Sequence, residues 1–354
     1  MSKAEKIVIG MSGGVDSSAA AYLLKEQGYE VIGVTMQTGS VSPETLEDAA
    51  RVAQKIGIAH HVIDFQSEFR RFVIEDFVRS YLAGRTPNPC IACNRLVKWE
   101  ALMQRAQELG AQLVATGHYT RPVQLENGRY TLQRTEGGKD QTYVLYRLTQ
   151  EELSRTRMPL ANYRKEEVRE LAARIGLTVA DKPDSQEICF IPEGNYVEFL
   201  EQYTGAKMQP GFFVDVSGNR LGMHKGLWHY TVGQRKGLGI ALGKPMFVTE
   251  IRPETNEVVL GENEAVFADG LVAEEMNYMA VEGILPGETL RLDGQIRYSH
   301  CPAPGVLEAG EDGTVYFWFD TPQRAVTPGQ GAVFYRDGHI WAGGTVRCAC
   351  RRKG

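Results

Sequence analysis

The period of the hydrophobic positions switches repeatedly along the first third of the chain. Ile7-Val8-Ile9 is a short apolar run, and the alanine-rich stretch Ala19 to Gln27 follows it. Strand then helix is predicted. Tyr29 to Met36 reads as a second strand, entered after a helix stop at Gly28. Ser42-Pro43-Glu44 supplies an N-cap, a proline at the first helical position and a first-turn acid, and the helix it opens ends at Gly57. His61 to Phe65 is a third short strand. Phe69, Phe72, Val73, Phe77 and Tyr81 fall at helical spacing and predict a helix packed on the sheet. Prolines on both sides of Asn88 make Arg85 to Pro89 a loop. Asn94 to Leu109 is helical up to Gly110, and Ala111 to Thr116 is another strand. This alternation predicts an α/β fold, a doubly wound parallel sheet with its ligand at the carboxyl ends of the strands.

The later pattern differs. Val123 to Gln133 reads as a hairpin about Asn127-Gly128. Thr149-Gln150-Glu151-Glu152 is a capping box, Tyr163 to Ile175 is a helix closed by Gly176, and Asp181 to Pro192 is a loop. Beyond Gly205 long helical periods vanish, and glycine, β-branched and aromatic residues recur in short runs. With a break near Asn263 to Asp269, the expected organisation is a sheet domain over 1–204, a small β-rich central domain over 205–265 and a C-terminal β-barrel over 266–354.

Composition bounds what these elements can do. The 354 residues, 43% hydrophobic, are enough for more than one core, and no apolar run approaches a membrane span. The N-terminus runs straight into a strand without room for a signal peptide, so a cytoplasmic protein with no membrane partner is expected. Six cysteines in so long a chain do not suggest a disulfide framework. The net charge of −5 argues, on the whole-chain balance, against a nucleic-acid partner. Local distribution matters more: Arg220, Lys225, Arg235, Lys236, Lys244 and Arg252 face a single acid, Glu250, between Gly218 and Arg252. Trp228, His229 and Tyr230 are interleaved with them, and cations plus aromatics are what RNA binding needs.

The chemistry centres on Met11-Ser12-Gly13-Gly14-Val15-Asp16-Ser17-Ser18, between the first strand and the first helix. Glycines let backbone approach a ligand, successive amides form an anion nest, and a helix N-terminus adds positive charge. No Lys-Ser or Lys-Thr follows the second glycine, so this is not a Walker A loop, and the dinucleotide G-x-G-x-x-G spacing is absent. Asp16 beside such a nest would repel a phosphate unless a cation such as Mg²⁺ intervenes. The octapeptide resembles the PP-loop, S-G-G-x-D-S, of the ATP pyrophosphatase superfamily, whose members adenylate a substrate oxygen.

Cys90 and Cys93 form a lone C-x-x-C, short of the four ligands of structural zinc. Cys93 stands just ahead of the helix predicted from Asn94, a position that lowers a thiol pKa. A redox pair and two buried structural cysteines are the alternatives. Cys189 follows Asp184 and Ser185, which are candidates for touching phosphate or Mg²⁺.

T-P-N-P-x-x-x-C-N, A-T-G-H-Y, K-D-Q-x-Y, D-S-x-x-I-C-F-I and T-V-G-Q-R-K-G-L-G occur in this order after the PP-loop. Together they resemble the bacterial tRNA 2-thiouridylase family, which makes 2-thiouridine at the tRNA wobble position. The resemblance implies a nucleophile at Cys93 and a persulfide at Cys189. It implies ATP with Mg²⁺ on Gly10, Met11, Ser12, Gly13, Gly14, Val15, Asp16 and Ser17, with Met36 and Gly117 as further nucleotide contacts. Asn88, Pro89 and Cys90 match the segment that meets the target base. His118, Lys139, Asp140, Gln141, Arg297, Tyr298 and Gln330 match tRNA contacts. Implied partners are tRNAs of the Lys, Glu and Gln type and a sulfur donor or relay protein. Relatives carry a Lys-Asn-Trp and acidic run where this chain has Gln37-Thr38-Gly39-Ser40. Two other readings compete: an amide-forming PP-loop ligase, which needs no cysteine pair, and a nucleotide sensor with a C-x-x-C switch, which consumes no ATP.

Overall fold

The apolar run at Ile7 becomes β1 (Lys6–Gly10), the middle of a parallel sheet. In a computed structural model of the chain, the described residues are 4–136, 139–177, 179, 188–191 and 194–352. They fall into two units, Met1–Ile74 with Cys90–Phe190 and Asp337–Trp341, and Glu75–Pro89 with Ile191–Arg336 and Ala342–Gly354.

In the first unit β1 pairs in parallel with β2 (Glu30–Gln37) and β4 (Leu113–Ala115). Outside them lie β3 (Ala59–Asp64) and β7 (Thr156–Arg157), giving the order β3-β2-β1-β4-β7 among the described residues. Ile7, Val8 and Ile9 are fully buried, as a strand covered on both faces must be. Ile7 and Ile9 join a core with Ala19 and Ala20 of α1 (Val15–Glu26), Ala49 and Val52 of α2 (Pro43–Ile56), and Val168 and Leu171 of α8 (Lys165–Arg174). The α2 signals act as read. Ser42 Oγ accepts from Thr45 N at 3.2 Å, Pro43 opens the helix, and Gly57 closes it at φ +67°. The hairpin forms as β5 (Arg121–Gln124) and β6 (Tyr130–Gln133). The capping box opens α7 (Gln150–Ser154), with Glu152 accepting from Thr149 N at 2.7 Å. His339 pairs with Gln133 of β6, and Thr131 Oγ1 donates to Ile340 O at 2.5 Å.

Two helical segments depart from expectation. The first runs as α3 (Gln66–Phe69), a π-helical stretch Arg70–Ile74 and α4 (Glu75–Leu82). Phe69 and Val73 stay in the first unit. Phe77 and Tyr81 belong to the second, where they meet Phe199 and Tyr196 of α9 (Tyr196–Thr204) at 6.4 and 5.0 Å between ring centroids. The helical spacing therefore holds, but its second half packs on α9 rather than on the sheet. The other segment starts at Pro89, not Asn94. It runs as α5 (Pro89–Ala92), a π-helical stretch Cys93–Ala101 and α6 (Leu102–Glu108).

The second unit is β-rich, as read. Strands β8 (Gly211–Asp215), β9 (Arg220–His224), β10 (Phe247–Arg252) and β11 (Glu257–Gly261) are ordered β10-β11-β8-β9. Trp228 and Tyr230 are 4% and 2% exposed, and Tyr230 sits edge-on to Phe213 at 5.2 Å. These rings fill a core and do not stack on RNA, which corrects the sequence reading. After them, among the described residues, six antiparallel strands close a barrel: β12 (Phe267–Tyr278), β13 (Thr289–Gln295), β14 (Ala303–Ala309), β15 (Val315–Arg324), β16 (Gly331–Arg336) and β17 (His339–Cys350). The β12–β17 pairing makes the closure. Phe317 fills the interior against Phe319 and Phe334 at 4.9 and 4.7 Å. A Cβ on Gly294 would stand 2.5 Å from the Phe317 ring, so that ring needs glycine beside it. Among the described residues no helix is long and apolar enough to cross a membrane.

Candidate active site

The glycine loop is built by its own side chains. Ser17 Oγ accepts from Ser12 N at 3.1 Å and donates to Gly14 O at 3.2 Å, and Ser18 Oγ donates to the same carbonyl at 2.8 Å. Ser12 Oγ lies 3.2 Å from Ser17 Oγ. Met11 N donates to Val34 O and Thr35 Oγ1 donates to Met11 O, tying the loop to β2. Gly13 has φ +69°, and a Cβ there would stand 2.7 Å from Thr45 O. Gly14 is the extended N-cap of α1, while Val15 is buried as the helix begins. The first amides of α1 have no partners within the helix, which leaves them for an anion.

Gly117 follows β4. A Cβ on it would lie 2.7 Å from Ser17 N and 2.8 Å from Asp16 C, so only glycine lets the two backbones touch. Met36, near the end of β2, brings its methyl to 3.8 Å from where a Gly10 Cβ would be. Gly10, Met36 and Gly117 thus ring the loop at the carboxyl ends of β1, β2 and β4, the position the fold assigns to ligand. This is a cradle that fits a phosphate chain.

Asp16 does not face the loop alone. Lys165 Nζ donates to both its carboxylate oxygens at 2.8 and 2.7 Å, and Tyr119 Oη donates to Oδ1 at 2.6 Å. The Lys165 side chain is 7% exposed. The sequence reading asked for a cation here and named Mg²⁺; the chain supplies one itself. Tyr119 is held in turn by Gln141, which accepts from Tyr119 N at 2.9 Å and donates its own N–H to Tyr119 O at 3.1 Å.

Cys90, Cys93 and Cys189 lie in the same unit. All six cysteines are free thiols; Cys93 is half-buried, and Cys90 and Cys189 are exposed. Burial pushes the Cys93 thiol up to about 11, Lys98 opposes that rise, and Cys189 and Cys90 add to it. Cys189 is also raised, by its surroundings first and Cys90 second, against the pull of Lys98 and a hydrogen bond with the Ser40 side chain. Cys93 and Cys189 therefore share two neighbours, Cys90 and Lys98. This overturns the expected low pKa at Cys93. The helix begins a turn earlier, at Pro89, so Cys93 lies inside it and burial outweighs any dipole. The π-helical stretch that starts at Cys93 carries Lys98 five positions on. At about 4.4 residues per turn that returns it near the Cys93 face, where an α-helix would turn it away. Phe190 meets Phe69 edge-on at 5.7 Å and anchors the chain beside Cys189. Asp184 and Ser185 lie outside the described residues.

His118 is buried. Its Nδ1 lies 2.8 Å from Thr116 Oγ1 and its ring 5.6 Å from that of Trp99. Burial, with Lys98 adding, holds its pKa well below the usual value, so it is neutral at pH 7. Asn94 is also buried, donating to Val144 O at 3.0 Å, while its Oδ1 has no partner among the described residues. Asp140 accepts from Thr142 Oγ1 at 2.6 Å and from Arg134 Nε at 3.3 Å, and Lys139 beside it is half-buried. In the second unit, Gln330 Nε2 donates to Thr86 O at 2.7 Å, and Thr86 N donates to Pro328 O, which fixes the approach to Asn88 and the buried Pro89. Arg297 donates to the carbonyls of Arg324 and Ala325, and Tyr298 is 49% exposed. Sequence reasoning missed Lys98, Ser40, Tyr119 and Lys165. Only the charge of Asp16 hinted at the last of these, by demanding a cation.

The parallel sheet with this loop defines a HUP-type protein. The family model described as the HUP domain of tRNA methyl transferases matches residues 5–193. A PRC-barrel domain of the same name matches 197–262, and an aminomethyltransferase β-barrel domain matches 268–346. Over 97% of the chain and 99% of the relative, it is 55% identical to the tRNA-specific 2-thiouridylase MnmA of Lachnoclostridium phytofermentans. The namesakes from Carboxydothermus hydrogenoformans and Clostridium perfringens are 50% and 49% identical, each over 97% of this chain and 97% and 98% of the relative. The chain belongs to the tRNA-specific 2-thiouridylase family.

Proposed function

We propose that the chain is an ATP-dependent tRNA sulfurtransferase that replaces O2 of the wobble uridine by sulfur. ATP with Mg²⁺ lies with its phosphates on Gly10 to Ser17, bounded by Met36 and Gly117. Uracil O2 attacks the α phosphate, the bond to pyrophosphate breaks, and C2 becomes activated by a good leaving group. The terminal sulfur of a Cys189 persulfide attacks C2 and AMP departs. Cys93 then attacks Sγ of Cys189, freeing the thiouridine and leaving a Cys93–Cys189 disulfide. Alternatively, Cys93 attacks first and the released sulfide attacks C2. Either route oxidises the two thiols by two electrons, so an external thiol must reduce them, and a sulfur donor or relay protein reloads Cys189.

The observation that carries this reading is the cluster of Cys93, Cys189 and Lys98 in the unit that holds the phosphate loop. An amide ligase has no use for that pair. Asn88, Pro89 and Cys90 meet the base. His118, Lys139, Asp140, Gln141, Arg297, Tyr298 and Gln330 serve the tRNA, the buried ones among them by holding loops that touch it. In this reading residues 1–204 do the chemistry, while 205–265 and 266–354 grip the tRNA, in the cytoplasm.

The test is thiolation of undermodified Lys, Glu or Gln tRNA with ATP, Mg²⁺, a persulfide donor and a reductant, read by nucleoside mass spectrometry. Two-thiouridine is expected at the wobble base. It is lost over repeated turnovers in Cys93→Ser and Cys189→Ser, while both variants still bind ATP. No mass gain on any of these tRNAs refutes the assignment.

A further inference from the structure

Lys165 occupies an awkward place. It is the first residue of α8, where a positive side chain opposes the helix dipole, and it is nearly buried. A buried cation needs a partner, and two short hydrogen bonds to Asp16 supply it. Asp16 stands in the first turn of α1, where an uncompensated carboxylate would compete with any anion for the same helix terminus. Tyr119 adds a third hydrogen bond and fixes which way the carboxylate faces. Tyr119 is itself buried and clamped by Gln141, so the arrangement is held from both sides.

We propose that Lys165 and Tyr119 are positioning residues of the phosphate loop: they hold the Asp16 carboxylate and cancel its charge, so that a nucleoside triphosphate settles on the loop without meeting a bare anion. This rests on the ATP reading above. It goes beyond that reading in giving two residues outside the loop control over its charge.

The experiment is calorimetric titration of the full chain with ATP at fixed excess Mg²⁺ and without tRNA. Lys165→Met exposes the Asp16 charge and is expected to raise the ATP Kd by about tenfold or more. The double variant Asp16→Asn with Lys165→Met removes both charges and is expected to recover most of that loss. A plain clamp between α1 and α8 predicts the reverse, a double variant no better than the single. Lys165→Arg, which keeps the charge, is expected to stay within about threefold of the parent. Should Lys165→Met not fold, Tyr119→Phe carries the test, because it removes one hydrogen bond and keeps the ring; a rise in Kd of about threefold is expected. An ATP Kd unchanged in Lys165→Met, or in Tyr119→Phe where that variant stands in, overturns the inference. So does a double variant as weak as Lys165→Met. A parent chain that binds no ATP overturns the phosphate-loop reading itself, and this inference with it.

Discussion

A thiol whose pKa stands at about 11 is a weak nucleophile at neutral pH, and Cys93 is such a thiol. Only about one molecule in a thousand carries the thiolate at pH 8. Iodoacetamide labelling of Cys93, followed by peptide mass spectrometry, should therefore be slow at pH 8. It should accelerate close to tenfold per pH unit up to about pH 10. Fast labelling already saturated at pH 8 would show that the buried site does not hold the proton. Replacing Lys98 by Gln removes the one charge that opposes the rise, so labelling at pH 9 should slow further. His118 gives a second pH signature. Its folded pKa lies well below the ordinary 6.5, chiefly through burial. A depressed folded value means that the unfolded chain takes up the proton first. Stability from this residue is complete above pH 6.5 and is lost as pH falls towards the folded value, at about 1.4 kcal/mol per pH unit. Melting temperatures between pH 7 and 5 should fall more steeply for the parent than for His118→Gln.

Elements fix these residues, and glycines set how closely elements meet. Gly117→Ala would push a methyl into the backbone of Ser17 and Asp16, atoms that cannot swing away. ATP binding should be abolished, with a stability loss of about 1–3 kcal/mol by thermal melting. Gly110→Ala is the control: its φ of +74° costs an L residue about 1 kcal/mol, but its Cβ meets nothing. ATP affinity should be unchanged there. The strands, the α2 caps, the hairpin and the capping box were legible because each depends on neighbours in sequence. Two things were not. The π-helical stretch over Cys93–Ala101 has no local composition signal, so neither the earlier start at Pro89 nor the approach of Lys98 to Cys93 could be read. The ion pair of Asp16 with Lys165 joins two helices distant in sequence, and a lysine at the first position of a helix looks like an ordinary exposed charge. Trp228 and Tyr230 failed for the opposite reason. Aromatics among cations look the same whether they stack on a base or fill a core, and here they fill a core.

At the scale of the molecule the charge is −5, so tRNA must be met by local cations. Some of the basic run is already engaged: Arg252 with Glu250 and Glu257, Lys244 with Glu262, and Arg220 over the Phe212 ring at 3.9 Å. Lys225 and Lys236 are exposed, as is Arg235, which lies over the Phe247 ring at 6.0 Å. tRNA affinity should fall steeply with added salt, and Arg235→Gln with Lys236→Gln should lower the slope of log Kd against log salt by about 1–2. An affinity flat with salt would place the RNA elsewhere. The phosphate loop, by contrast, should bind ATP with little change in those two variants.

The strand β17 carries one more consequence, for the order in which the chain becomes complete. The first unit contains Asp337–Trp341, where His339 pairs with β6 and Ile340 takes the Thr131 hydroxyl proton in a hydrogen bond. A ribosome makes these residues only after those of β8 to β16. The hairpin of β5 and β6 must wait for this pairing until β8 to β16 have been made. The first unit thus stays open until Asp337–Trp341 emerges, and a chain cut short before Asp337 leaves β6 without that partner.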